Sequence, residues 1–88
     1  MIRYKIDILM SMRERGITTR RLALDRIIDN KTQAKIRQGN TDISLRVLDN
    51  ICSLLHCQPS DIIEWVPSPT NPVKLSADID IDIDINNI

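Results

Sequence analysis

Phenylalanine is absent from this 88-residue chain, and Tyr4 and Trp65 are its only aromatic residues. A core must therefore be built from Ile, Leu, Val, Met and Ala, which suits a compact helical bundle. Glycine occurs only at positions 16 and 39, too sparsely for a loop that cradles phosphate. The two cysteines, Cys52 and Cys57, stand five apart around His56, without C-x-x-C spacing or a fourth ligand. That pattern is read as structural thiols and predicts no metal site. Cys52 is expected on an inward helical stripe with Leu48, Ile51 and Leu55, and Cys57 as a small plug just past the helix end. There is no nucleophile–base set, so no enzyme, no cofactor and no small-molecule ligand are expected. No apolar run approaches the roughly 18 residues of a membrane span, and no signal-peptide pattern opens the chain. The expectation is a cytoplasmic protein that avoids the membrane.

A net charge of zero conceals an asymmetry. Residues 1–58 hold eleven Lys or Arg against six Asp or Glu, a balance of +5, and residues 59–88 hold one lysine against six acids, a balance of −5. A basic body with an acidic tail points to nucleic-acid contact or to a regulatory tail.

Helix signals recur along the body. Ile2, Tyr4 and Ile6 alternate and could begin extended; a first helix of about Lys5 to Arg15 follows, with Ile6, Leu9 and Met10 as its core face and Gly16 as its end. Ile8 and Met12 lie off that stripe; they either widen the core contact or cover a dimer seam, and burial within the monomer is the favoured reading. Thr18 can cap a second helix that turns Leu22 and Ala23 inward. Asp29 can cap a third, with Ile36 inward and Gly39 closing it. Ser44 can cap a fourth helix, Leu45 to Leu55, whose positions 45, 48, 51, 52 and 55 form the apolar stripe. His56 takes its C-terminal cap. Pro59 suits the first position of a fifth helix, with Asp61 in its first turn. Ile62, Ile63, Trp65 and Val66 would dock that helix, Trp65 acting as a lid on the core.

The stretch T-T-R-R-L-A-L-D-R-I-I-D-N-K-T-Q-A-K-I-R-Q-G, Thr18 to Gly39, resembles the helix-turn-helix of the phage-repressor-like family (Cro/cI or XRE type), which binds operator DNA. The likeness continues through N-T-D-I-S-L-R-V-L-D-N-I-C-S-L-L-H-C-Q-P-S-D-I-I-E-W and back to I-D-I-L-M-S-M-R-E-R-G. It implies an all-α, five-helix lambda-repressor-like bundle over residues 1–66. Residues 67–88 then form a proline-containing linker and a flexible acidic tail.

The resemblance also implies a partner and a mechanism. The third helix would enter the major groove of double-stranded DNA, which is about 12 Å wide. Asn30, Lys31 and Lys35 would meet base edges with Thr32 beside them, while Thr19, Arg20 and Gln38 would contact the backbone or an outer base. A homodimer on a pseudo-palindromic operator, acting as a repressor by occupying a promoter, completes this reading. The rival is a helical protein-binding module, such as an antitoxin or a phage-encoded adaptor. Two positions depart from the family pattern. Ile27 stands near the corner where glycine is usual, and Gln33 occupies a place usually apolar and packed. Either Gln33 finds a hydrogen-bond partner, or the helix is rotated and the base-reading set shifts. The tail repeat D-I-D-I-D-I-D-I, residues 78–85, has a period of two. It is read as low-complexity and without fixed structure; the alternatives are a strand that pairs with its copy in a dimer and an acidic arm that competes with DNA.

Overall fold

Each of the four longer helices begins on a short polar side chain that accepts a hydrogen bond from a backbone amide three residues on. Asp7 accepts from Met10, Thr18 from Arg21, Asp29 from Thr32 and Ser44 from Val47, at 2.7–3.1 Å. These contacts satisfy amides that a helix start leaves without partners. The computed structural model describes residues 1–68, 73 and 74. Its order is β1 (Ile2–Tyr4), α1 (Ile8–Glu14), α2 (Thr19–Leu24), α3 (Asn30–Arg37), α4 (Leu45–Leu55), α5 (Pro59–Ile62) and β2 (Ile63–Trp65). The Asp-Ile repeat and the reading of it as a flexible tail lie outside the described residues.

The first four helices also end alike. In each, a residue just past the last turn adopts a left-handed conformation, and the next amide bonds back to the carbonyl five residues earlier: Ile17 to Met12, Ile27 to Leu22, Asn40 to Lys35 and Cys57 to Cys52, at 2.9–3.1 Å. Glycine fills the left-handed place twice, Gly16 at φ +81° and Gly39 at φ +79°. Arg26 (φ +57°) and His56 (φ +52°) fill it in the other two.

Ile8, Leu9 and Met12 of α1, Leu22 of α2, Ile28, Ile36 of α3, Val47, Leu48, Ile51 and Leu55 of α4 and Ile62 of α5 make one aliphatic core. Tyr4, Ile17, Ile27, Ile43, Cys52, Leu54, Cys57 and Ile63 pack partly buried around it. The architecture is helical but not all-α. β1 and β2 pair antiparallel, with Ile2 opposite Trp65, Arg3 opposite Glu64 and Tyr4 opposite Ile63. The Lys5 amide prolongs this ladder by donating to the Ile62 carbonyl at 2.7 Å.

That ladder corrects the expected start of the first helix. Lys5 is held extended against α5, so the helix begins only after the Asp7 cap, and its buried stripe is Ile8, Leu9 and Met12. Met10 is 45% exposed and Ile6 37%. The stripe of α4 is also shifted: Val47 is buried, Cys52 is half-buried, and Leu45, at the first position of the helix, is 82% exposed. Trp65 is not a lid. It lies on β2 beyond the body, opposite Ile2, and is 67% exposed.

Candidate nucleic-acid interface

Helices α2 and α3 meet at a corner built by the side chains themselves. α2 closes through Arg26, whose amide donates to Ala23, while the amides of Ile27 and Ile28 both donate to the Leu22 carbonyl at 2.9 and 3.1 Å. This tight reversal supplies the turn that a glycine would otherwise allow. Arg26, not Ile27, takes the left-handed residue, and Ile27 and Ile28 turn toward the core. From α4, the Asn50 side-chain amide donates to the Ile27 carbonyl at 3.1 Å and holds the corner against the body.

Gln33 resolves the second departure from the family pattern. It is 1% exposed, and its Nε2 donates to the carbonyls of Thr19 (3.0 Å) and Ile28 (2.9 Å). A buried amide is tolerated because both of its hydrogens are matched. Gln33 thus finds partners, with Ile36 buried one turn later.

At about 100° per residue, burial of Gln33 and Ile36 sends Lys31 and Gln38 to the opposite, outer side of α3 and Lys35 to the edge of that side. Asn30 falls on the flank toward α2. There it shares an open groove of about 500 Å³ with Thr19, Arg20, Leu24 and Arg37. Thr32 and Lys35 border a second groove on the other flank, about 520 Å³, with Arg26, Asp42 and Arg46. The expected residues are therefore gathered around one helix but on three aspects of it: Lys31 and Gln38 on the crest, Thr19, Arg20 and Asn30 on one side, and Thr32 and Lys35 on the other. Leu24, 68% exposed, and Arg26 also border these grooves. The sequence reading missed both, although Arg26 could have been noticed as a cation at the corner.

Charge on this surface is largely uncommitted. Among the described residues the ion pairs are Arg3–Glu64 and Arg21–Asp25. Arg20, Arg26, Lys31, Arg37 and Arg46 belong to neither, and Lys35 makes a long contact of 3.5 Å to the Asp42 carbonyl. Arg21, by contrast, is engaged one turn along its own helix. Asp29 caps α3 beneath these cations. Hydrogen bonds from the Thr32 amide and then the Thr32 hydroxyl lower its pKa, and the charges of Lys31 and Lys35 act in the same direction. No group of three or more metal-ligating side chains occurs among the described residues, and no helix there is long and apolar enough to cross a membrane.

Residues 6–68 match the family model of the Cro/C1-type HTH DNA-binding domain. No curated protein and no solved structure gives a match.

Proposed function

Because the chain belongs to the Cro/C1-type helix-turn-helix DNA-binding family, we propose that it is a sequence-specific transcriptional regulator of the repressor type that reads the major groove with α3. The observation that carries this reading is the crest and flanks of α3, a run of amides and unpaired cations raised above a buried Gln33. An α-helix fits the major groove, asparagine can pair bidentately with adenine, and lysine can donate to guanine O6 and N7. Lys31 and Asn30 are assigned to base edges, with Lys35 and Thr32 following the other wall. Thr19, Arg20 and Gln38 are assigned to the phosphates, where Arg26 and Arg37 add field. Each phosphate neutralised contributes about 0.9 to the salt slope of binding.

The assembly in this reading is a homodimer on a pseudo-palindromic operator with half-sites about 34 Å apart. The face carrying Ile2 and Trp65 supports it as the pairing surface. Tyr4 and Ile63 lie on the same side of the sheet and pack on the core, and on that side Ile2 and Trp65, two positions along each strand, stay exposed. The division into a DNA-binding domain over residues 1–66 and a tail over 67–88 is part of the same proposal.

Selection of bound duplexes from a random library tests the function. The wild-type chain should enrich one two-fold symmetric sequence. Lys31→Ala and Asn30→Ala should each relax preference at specific base pairs while remaining folded, and a mismatch at such a pair is worth about 1–3 kcal/mol. Absence of duplex binding at low salt would overturn the reading; unchanged preference in both variants would move the base-reading role elsewhere on α3.

A further inference from the structure

We propose that Cys52 and Cys57 form a dithiol site, which a small-molecule disulfide converts to an intrachain disulfide across the end of α4. Both cysteines are half-buried at the rim of the core. They are the two residues joined by the helix-closing bond, in which the Cys57 amide donates to the Cys52 carbonyl at 3.1 Å. In this closing motif the side chains at those two places commonly face each other. A disulfide requires close β-carbons and α-carbons within about 7 Å, and a direct backbone bond between the same two residues brings them together. The left-handed His56 between them fixes the reversal.

The pair is also reachable. One open groove, about 510 Å³, brings solvent to both cysteines past Leu45, Asp49 and Pro59; a second, about 450 Å³, reaches them past His56 and Asp61. Burial holds the Cys52 thiol above its ordinary pKa, and the neighbouring Cys57, Asp49 and Asp61 act in the same direction. Cys57, in its thiolate form, attacks one sulfur of the external disulfide, forming a mixed disulfide and expelling one thiolate. Cys52, giving up its proton, attacks the Cys57 sulfur and expels the second. One external disulfide is reduced to two thiols, which take the two protons, and the chain gains one S–S bond.

Titration of the full-length chain against glutathione redox buffers, read by intact mass and free-thiol count, tests the site. The folded chain should pass in one step from two free thiols to none, with the mass of two hydrogens lost and no covalent dimer. Its equilibrium constant for the bridge should exceed by at least tenfold that of the same chain in urea, where the corner is melted. Cys52→Ser and Cys57→Ser should each stop at one glutathione adduct. Two adducts on the folded wild-type chain, a covalent dimer, thiols that survive the most oxidising buffer, or a constant no larger than in urea would each overturn the proposal. The wild-type comparison decides it even if a serine variant folds poorly.

Discussion

The Gln33 side chain donates its amide to the Thr19 carbonyl at 3.0 Å, joining the first turn of α2 to the middle of α3. The second hydrogen of that amide goes to Ile28 at the corner. One side chain thus fixes both the crossing of the two helices and the rotation of α3 that brings Lys31 and Lys35 outward.

Removing that amide should be felt in stability. Gln33→Ala leaves two carbonyls without this donor and opens space in the core, so a loss of about 2–3 kcal/mol is expected from chemical denaturation. Gln33→Glu is the sharper variant. An ionised carboxylate cannot donate and is buried, so its pKa in the folded protein rises above the unfolded value. Its stability should then be greatest below the unfolded carboxylate range and decline as pH rises through the raised folded value. A pH-independent deficit would contradict this account of the Gln33 site.

The left-handed corners predict substitutions of opposite sign. Arg26→Gly and His56→Gly relieve backbone strain of about 1 kcal/mol each and should raise the unfolding midpoint. Gly39→Ala should lower stability by a similar amount, about 1 kcal/mol. A β-carbon there would meet no atom within 4 Å, so the conformation alone is responsible. Thermal melts of the three variants check the signs.

Asp29 makes the start of α3 acid-sensitive. Its carboxyl is held below its ordinary pKa, chiefly by the Thr32 amide and hydroxyl. The stabilisation is therefore complete above the unfolded carboxylate pKa and disappears as pH falls through the lower folded value. Asp29→Asn retains a cap but not this titration, so its stability curve should lie flatter on the acid side than that of the wild type. Chemical denaturation across the acid range measures the difference.

Trp65 and Ile2 supply a test of assembly. Trp65→Ser and Ile2→Ser should each weaken self-association at least tenfold in analytical ultracentrifugation while leaving the monomer folded. The only tryptophan also supplies the signal, since its emission should shift to the blue as wild-type concentration rises. Constant mass and emission over the concentration series would remove the sheet as the pairing face.

Local chemistry made much of this legible in the sequence. Thr18, Asp29 and Ser44 announced their helices because a side-chain oxygen three residues before an orphan amide has one obvious use. The fourth helix has the bounds that Ser44 and His56 imply. What failed needed tertiary knowledge. The phase of α1 depends on Lys5 bonding to Ile62, a contact made far along the chain; burial of Ile8 and Met12 agrees with the sequence, whereas Ile6 and Met10 face outward against it. Trp65 was expected in the core because large apolar residues usually are, but its burial depended on a strand register no local pattern specifies. At the reading head, residue identities were legible, while their distribution over a crest and two flanks followed only from the burial of Gln33.

The two-stranded sheet has a kinetic consequence. It joins the first residues of the body to the last, Ile2 to Trp65, and beyond them the Met1 amine and carbonyl both bond to Val66. Every helix therefore lies inside a single long loop that this ribbon closes. Helical turns form from near neighbours, whereas closing such a loop carries an entropy that grows with the logarithm of its length. The ribbon is thus the last part to assemble and the first to open, so among the bonded amides exchange should be fastest at Arg3 and Val66 and slowest at Leu22 and Ile51.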